Sequence, residues 1–177
     1  MDAVSLLRED LKEAHNLLEA VMVDVTPDAA HWMPPGRANP VGATYAHVVL
    51  TEDRIVNAIL QHRRPLYDSD WSGKAGLSEM MPSTGEEWHD YAGWTRRVRV
   101  DIPAVREYAR AVYAASDQYV ASLTPEDLDR LIDLSGEGTG SVTLGWILSR
   151  QVAGHADNIA GEISCLKGLQ GLQGYPF

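Results

Sequence analysis

Two histidines are the residues of this sequence whose placement could support chemistry. His155 falls in a stripe of apolar residues spaced three to four positions apart, and His47 falls in an apolar helical pattern that begins at Val41. Such spacing is typical of the buried face of an α-helix, so both imidazoles should point into a core. Neutral imidazole is a common ligand for Zn, Ni and Fe. Two such histidines could meet inside a bundle and hold a metal ion; alternatively, each is a buried histidine satisfied by a hydrogen bond.

Four long helices must position these side chains. The apolar spacing predicts them at about 3–23, 40–61, 102–122 and 142–169. Asn39 and Asp101 are expected N-caps, since each stands just before a proline-containing helix start. His15 lies beside the apolar face of the first helix, and we interpret it as a packing or partly exposed residue. The order of elements predicts an all-α four-helix bundle formed by a single domain, residues 1–177.

A long crossover joins the second and third helices. Residues 63–100 are rich in Gly, Pro and Trp, and short helical turns are expected near 77–81 and 85–91. We interpret His89, within this segment, as a solvated loop residue. Trp32, in an earlier Pro- and Gly-rich loop, is a candidate core anchor because a large aromatic buries much area. Residues 131–134 are a candidate short extended piece, and no strong strand pairing is evident.

Composition excludes several classes of function. Fifteen Lys and Arg against 25 Asp and Glu give a formal net charge of −10, which repels phosphate backbones and argues against nucleic-acid binding. No apolar run approaches the roughly 18 residues that a membrane span needs. Cys165 is the single cysteine, so no internal disulfide can form. The sequence therefore predicts a soluble cytoplasmic protein without membrane or nucleic-acid partners.

The sequence resembles the DinB/YfiT-like superfamily of four-helix bundles over essentially its whole length. Members show an Ala-His pair in the second helix and two histidines four residues apart in the last, the second followed by x-G-Q-I and a Leu-Arg pair. The matching residues here are Trp32–Gly36, Ala46-His47, His155, Gly161-Glu162-Ile163 and Leu166-Lys167. Some branches instead place His-Ala-Asp, here residues 155–157, after the metal pair, and both registers remain open.

The resemblance implies that His47 and His155 are two of three ligands for a divalent metal. The third histidine position holds Ile159, which cannot coordinate a metal. A catalytic metal usually has about three protein ligands and an open position. Glu162 or Gln151 could complete the shell, and Glu162 is the better donor because a carboxylate binds metals better than an amide does.

Two functions remain open. The resemblance implies a metal-dependent thiol S-transferase, isomerase or hydrolase-like enzyme that uses a low-molecular-weight thiol, with Zn, Ni or Fe as the cofactor. The alternative is a metal-free small-molecule-binding or stress-response bundle. Trp32, Thr51 and Ile159 are candidates to line its pocket.

The resemblance also implies a homodimer. Gly154, Gly161 and Gly168 form a stripe, seven residues apart, that predicts close approach of another backbone. That backbone could belong to a second copy or to the same bundle.

Overall fold

Four long helices form the body of the computed structural model, which describes residues 2–82 and 90–177. The first is α1, Ala3–Val21, and the third is α5, Ile102–Ala121. The second is α3, Val41–Asp53, continued by a π-helical segment, Arg54–Leu60. The fourth comprises α6 (Leu144–Trp146), then a π-helical segment (Ile147–Ala153), and finally α7 (Gly154–Leu169). The predicted helical bundle is confirmed.

Helix starts follow local capping chemistry. Asp2 caps α1 by accepting a hydrogen bond from the Ser5 amide at 2.8 Å, and Asp101 caps α5 by accepting from the Ala104 amide at 3.2 Å. Each bond satisfies an amide that has no partner within the helix. The expected Asn39 cap is wrong: Pro40 precedes α3 without a side-chain bond. The Asn39 side chain instead accepts a hydrogen bond from the Thr95 hydroxyl at 3.0 Å.

Thr26 and Pro27 begin a further short helix after α1. Thr26 accepts a hydrogen bond from the Ala29 amide and caps a short helix, α2, Pro27–His31. Trp32 follows at the end of α2 and is only partly buried, so its prediction as a core anchor is wrong. Trp94, in α4 (Tyr91–Arg97), is fully buried instead, and its Nε1 donates to the Glu79 carbonyl at 3.2 Å.

A small hairpin precedes the fourth long helix. β1, Leu131–Leu134, pairs antiparallel with β2, Gly140–Thr143, with Leu131 opposite Thr143 and Leu134 opposite Gly140. The extended piece predicted at 131–134 is confirmed, but its pairing was not expected. Because Thr143 belongs to β2 and caps the next helix, the fourth helix begins at Leu144, two residues later than predicted.

The crossover is extended and fastened to the bundle. Leu77 forms an isolated antiparallel bridge with Val100, so the helical turn predicted at 77–81 is wrong. A short 3₁₀ turn, Leu66–Asp68, lies near its start. Most of the turn predicted at 85–91 lies outside the described residues. His89 lies outside them as well.

Asp53 is the main attachment point of the crossover. Its fully buried carboxylate accepts hydrogen bonds from the amides of Leu66 at 2.9 Å and Tyr67 at 3.0 Å. The Tyr108 hydroxyl donates to it at 2.6 Å and the Asn57 amide at 2.7 Å. Four donors around one carboxylate satisfy a charge that burial would otherwise penalise.

The two ends of the chain are also joined. The buried Lys167 ammonium donates to the carbonyls of Val21 at 2.8 Å and Val23 at 3.1 Å, at the C-terminus of α1. A cation here meets both the unpaired carbonyls and the negative end of the helix dipole. In the described ranges, 2–82 and 90–177, no helix is long and apolar enough to cross a membrane.

The glycine stripe does not mark a contact between two helices of the bundle. A Cβ on Gly161 would meet the Tyr175 hydroxyl of the C-terminal segment at 3.1 Å. One on Gly154 would meet the Ser149 carbonyl of its own helix at 3.0 Å, and one on Gly168 would meet nothing within 4 Å. Packing within the chain therefore explains Gly161, whereas a role of the stripe in dimerisation stays a prediction.

Candidate functional site

His47 and His155 lie side by side between the second and fourth long helices. Their ring centres are 5.2 Å apart and their planes are inclined by 76°. In a tetrahedral site with metal–nitrogen bonds of about 2.0–2.1 Å, the centres of two ligand imidazoles lie roughly 5 Å apart. The observed distance between ring centres therefore suits two imidazoles that share one ion. The same distance is typical of two aromatic rings packed edge to face.

Both histidines favour the neutral form. Burial and, to a lesser extent, the neighbouring His155 together lower the pKa of His47 to about 4. Burial also lowers the pKa of His155, although the negative charge of Glu52 opposes that shift. Neutral imidazole is the form that binds a metal ion, so both rings are in the required state at pH 7.

The crossover covers the pair from one side. His47 Nδ1 lies 3.3 Å from the Met81 sulfur, and the Tyr91 ring meets the His47 ring edge-on at 5.2 Å between centres. A thioether sulfur only accepts hydrogen bonds, so a hydrogen bond between these two atoms is formed by the tautomer with the proton on Nδ1. In neutral His47 the lone pair is then on Nε2. An outer partner that fixes the tautomer is the usual support for a metal-binding histidine.

The other predicted ligands are arranged differently. Glu162 occupies an exposed position on α7, although partial burial raises the pKa of its carboxyl. It lies near Tyr91, whose pKa is raised to about 12 by burial and, to a lesser extent, by the Glu162 charge. Within residues 2–82 and 90–177, no three His, Cys, Asp or Glu side chains are grouped so that they could hold a metal ion. Glu162 thus does not complete such a group with the two histidines. Ile159, one turn beyond His155, is 7% exposed in the apolar core.

A cavity of about 190 Å³ lies beside the histidine pair. Thr51 and Gln151, each four residues from one of the histidines, line it together with Arg54. Thr51 thus lines a cavity, and its role in binding a ligand stays a prediction. Gln151 faces this cavity as well, and its role as a metal ligand stays a prediction.

One buried hydroxyl near the pair is unsatisfied. Thr44 lies three residues before His47 on α3, and its side-chain oxygen has no hydrogen-bond partner in the part of the chain that the structure describes. Buried polar groups are nearly always paired, with protein or with water. This hydroxyl is therefore a place where a bound water or ligand would gain a hydrogen bond.

A family model described as the DinB superfamily matches residues 10–158. The chain belongs to the DinB superfamily. Its fold is similar to the crystal structure of a conserved protein from Enterococcus faecalis, with a TM-score of 0.79 and 24% sequence identity over 96% of this chain and 97% of that one. None of the curated proteins matches the sequence.

The two histidines of this DinB protein suit a divalent ion in separation, protonation and support. Among the described residues, no third His, Cys, Asp or Glu joins them. Ile159 stands at the position that the resemblance implies for the third ligand. An ion held here would keep more than one coordination position for other ligands.

A second buried polar cluster in this DinB chain was missed by the sequence reasoning. Glu52 is 3% exposed; it accepts a hydrogen bond from the Ser116 hydroxyl at 2.6 Å and contacts His15 Nε2 at 2.9 Å. His15 is buried and stacks on Tyr113 with ring centres 3.8 Å apart, so the interpretation as a packing residue is confirmed and the alternative of partial exposure is wrong. The signal available in the sequence was a pair of acids, Glu52 and Asp53, inside an apolar helix.

Proposed function

We propose that this DinB-superfamily chain is an enzyme that holds a divalent metal ion between His47 and His155 and acts on a small molecule beside it. The observation that carries the proposal is the 5.2 Å separation of two partly buried imidazoles that favour the neutral form. The reaction classes that suit it are thiol S-transfer, isomerisation and hydrolysis, with a low-molecular-weight thiol as cosubstrate.

The chain's own residues would prepare this chemistry. A bound divalent ion lowers the pKa of a thiol or water that it coordinates and so supplies a nucleophile near pH 7. His47 and His155 would hold the ion, and the Met81 contact would keep His47 in the tautomer with its lone pair on Nε2. The Tyr91 ring against His47 limits access of water from the crossover side.

A second candidate is a metal-free small-molecule-binding or stress-response bundle whose centre takes a small apolar molecule. The buried Ile159 favours it, because an isoleucine at the usual ligand position makes the centre more apolar. Without a third donor, an ion is also held less tightly. This candidate predicts an unchanged melting temperature in chelator and uptake of hydrophobic ligands.

Metal content separates the two candidates. The untagged protein would be incubated with Zn, Ni or Fe(II), desalted and measured by elemental mass spectrometry, beside His155→Ala and His62→Asn. His62 is exposed with a positive φ of 54°, a conformation that asparagine tolerates, so this variant is a matched control. About one ion per chain, lost only in His155→Ala, supports the enzyme. No ion after reconstitution overturns it and leaves the binding protein.

We also propose a cytoplasmic homodimer, on the family resemblance and the sequence composition. Light scattering after size exclusion would give the oligomeric state, and fractionation of expressing cells would give the location. A monomer at micromolar concentration would refute the proposed dimer and would leave the proposed metal site unaffected.

A further inference from the structure

We infer that His15, backed by the buried Glu52 carboxylate, is the general base of a second reaction site, which hydrolyses small uncharged esters without a metal. The site lies away from the histidine pair. Glu52 follows His47 by five residues on α3, which places the two side chains about 140° apart around the helix. The inference goes beyond the proposed function and does not depend on an ion between His47 and His155.

The His15 imidazole is held in one orientation and one tautomer. Its ring stacks on Tyr113 with centres 3.8 Å apart, and its Nε2 lies 2.9 Å from the Glu52 carboxylate. The same carboxylate accepts a hydrogen bond from the Ser116 hydroxyl at 2.6 Å. Imidazole is a stronger base than carboxylate, so the proton between His15 and Glu52 resides on Nε2. In neutral His15 the lone pair is therefore on Nδ1.

The Nδ1 atom faces a groove rather than the core. His15 is 8% exposed and, with Tyr113, lines an open groove of about 640 Å³ between α1 and α5. No described residue forms a hydrogen bond with Nδ1, yet in residues 2–82 and 90–177 the only fully buried side-chain nitrogen or oxygen without a partner is that of Thr44. Nδ1 therefore reaches the solvent of the groove. A side chain that is more than nine-tenths buried thus presents a basic nitrogen to a space that a ligand can enter.

This arrangement of carboxylate, imidazole and accessible nitrogen is that of a general base. A buried carboxylate bonded to one ring nitrogen orients the imidazole and stabilises the imidazolium that forms when the other nitrogen takes a proton. Neither hydroxyl side chain of the groove is placed to be a nucleophile. Ser5 precedes His15 by ten residues, about 15 Å along α1, and the Tyr113 hydroxyl donates to Glu19 at 3.2 Å. Water is therefore the nucleophile.

Ester hydrolysis balances with these groups alone. Nδ1 takes a proton from a water molecule as the water oxygen bonds to the ester carbonyl carbon, and the carbonyl electron pair moves onto its oxygen. When the tetrahedral intermediate collapses, the bond from carbon to the alcohol oxygen breaks, and the imidazolium gives its proton to that leaving oxygen. The products are a carboxylic acid and an alcohol, and no oxidant or cosubstrate takes part.

The groove favours an uncharged substrate with an apolar part. Leu11 and Tyr113 give it apolar surface beside His15. Its charged side chains are two cations and two anions: Arg8, Lys12, Glu9 and Asp117. These charges offset one another, and the Arg8 guanidinium is already bonded to Asp117 at 2.7 Å, so the lining selects neither an anion nor a cation. The volume of 640 Å³ falls within the range of about 300–1,000 Å³ that is usual for small-molecule sites.

The test follows the release of para-nitrophenol from para-nitrophenyl acetate by chelator-treated protein. The wild type should turn over repeatedly, and His15→Gln should lower kcat/KM at least about tenfold, since general base catalysis contributes about 10²–10⁴-fold. His62→Asn removes an exposed histidine and should leave kcat/KM unchanged. Equal rates in wild type and His15→Gln would assign the hydrolysis to surface groups and overturn the inference. A single turnover that leaves the acetyl group on the protein would overturn it as well.

Glu52→Gln tests the positioning role of the carboxylate. Glutamine keeps the length and a hydrogen-bonding oxygen but carries no charge, so it stabilises the imidazolium less. The charged side chains that line the groove are the same in this variant. The rise of kcat/KM with pH should therefore be centred at lower pH than in wild type, and the plateau should be lower. A role in packing alone would lower stability and leave the pH profile in place, which would contradict the inference.

A measurement on the wild type covers the case in which the buried variants do not fold. Long-range proton–nitrogen NMR should show neutral His15 with its proton on Nε2. The amide counterpart of the probe, para-nitroacetanilide, should shift the His15 signals saturably. A proton on Nδ1, or signals that the amide does not move, would overturn the inference. His155→Ala, which tests the metal site, should leave the ester hydrolysis intact, so this inference and the proposed function fail separately.

Discussion

Replacing Asp53 by alanine should be among the most destabilising single changes in this protein. The carboxylate is fully buried and accepts from two backbone amides of the crossover, one tyrosine hydroxyl and one asparagine amide. Hydrogen bonds to charged groups contribute about 1.5–3 kcal/mol each, and a buried donor left without a partner costs about 1–3 kcal/mol. Water will reach some of the four donors in the variant. We therefore expect a loss of about 3–5 kcal/mol in the free energy of unfolding.

Urea unfolding followed by circular dichroism would measure this loss, with Asp129→Ala as the control. Asp129 is an exposed acid in a short 3₁₀ turn, so its removal should change stability by no more than about 0.5 kcal/mol. Hydrogen exchange supplies a local readout, because the amides of Leu66 and Tyr67 should lose protection in Asp53→Ala. A loss below about 1 kcal/mol, or unchanged exchange at those amides, would refute the role of Asp53 as an attachment point.

Three further predictions concern pH, backbone space and the joined chain ends. The pKa of His47 falls from 6.5 to about 4 on folding, so the unfolded chain binds more protons than the folded protein between these pH values. This difference should lower the free energy of unfolding by about 3 kcal/mol as pH falls from 7 to 4. In urea titrations of chelator-treated protein, His47→Gln should remove most of that pH dependence. Gly76→Ala should cost at least about 2 kcal/mol more than Gly36→Ala in the same assay. Both glycines have a positive φ, but only at Gly76 would a Cβ meet backbone, with the Val105 nitrogen at 2.8 Å. Lys167→Met should lower the melting temperature by several degrees, through about 1–3 kcal/mol, whereas Lys74→Met, at an exposed position, should not.

Each of these has an outcome that contradicts it. A pH slope unchanged by His47→Gln would assign acid sensitivity to other groups. Equal costs at the two glycines would mean that conformational strain, rather than contact with α5, sets the cost. An unaltered melting temperature in Lys167→Met would mean that water replaces the ammonium at the end of α1.

The long helices were predictable because their signals are local. Apolar residues three to four positions apart, together with caps such as Asp101, are properties of a short stretch of chain. The observed meeting of His47 and His155 agrees with a burial pattern that turned both toward one core. Metal binding itself stays a prediction, because it depends on donors that the pattern does not supply.

Features that depend on several elements at once could not be predicted. His15 looked like an edge residue because its partner, Glu52, belongs to another helix. Trp32 and Trp94 are chemically alike, and only the packing of the crossover decides which is buried. The apolar spacing predicted only regular α-helices, so neither the π-helical segments nor the cavity between them was predicted.

The Lys167 contact with the end of α1 also bears on synthesis of the chain. Its bonds join residues 146 and 144 positions apart in a chain of 177 residues. At about 5–20 residues per second, translation delivers Lys167 roughly 7–30 s after Val21. During that interval α1 has neither the ammonium that caps its end nor the α7 surface on which it packs. Co-translational folding of this bundle can therefore assemble its middle helices early, but its first helix reaches its final state only when the last one emerges.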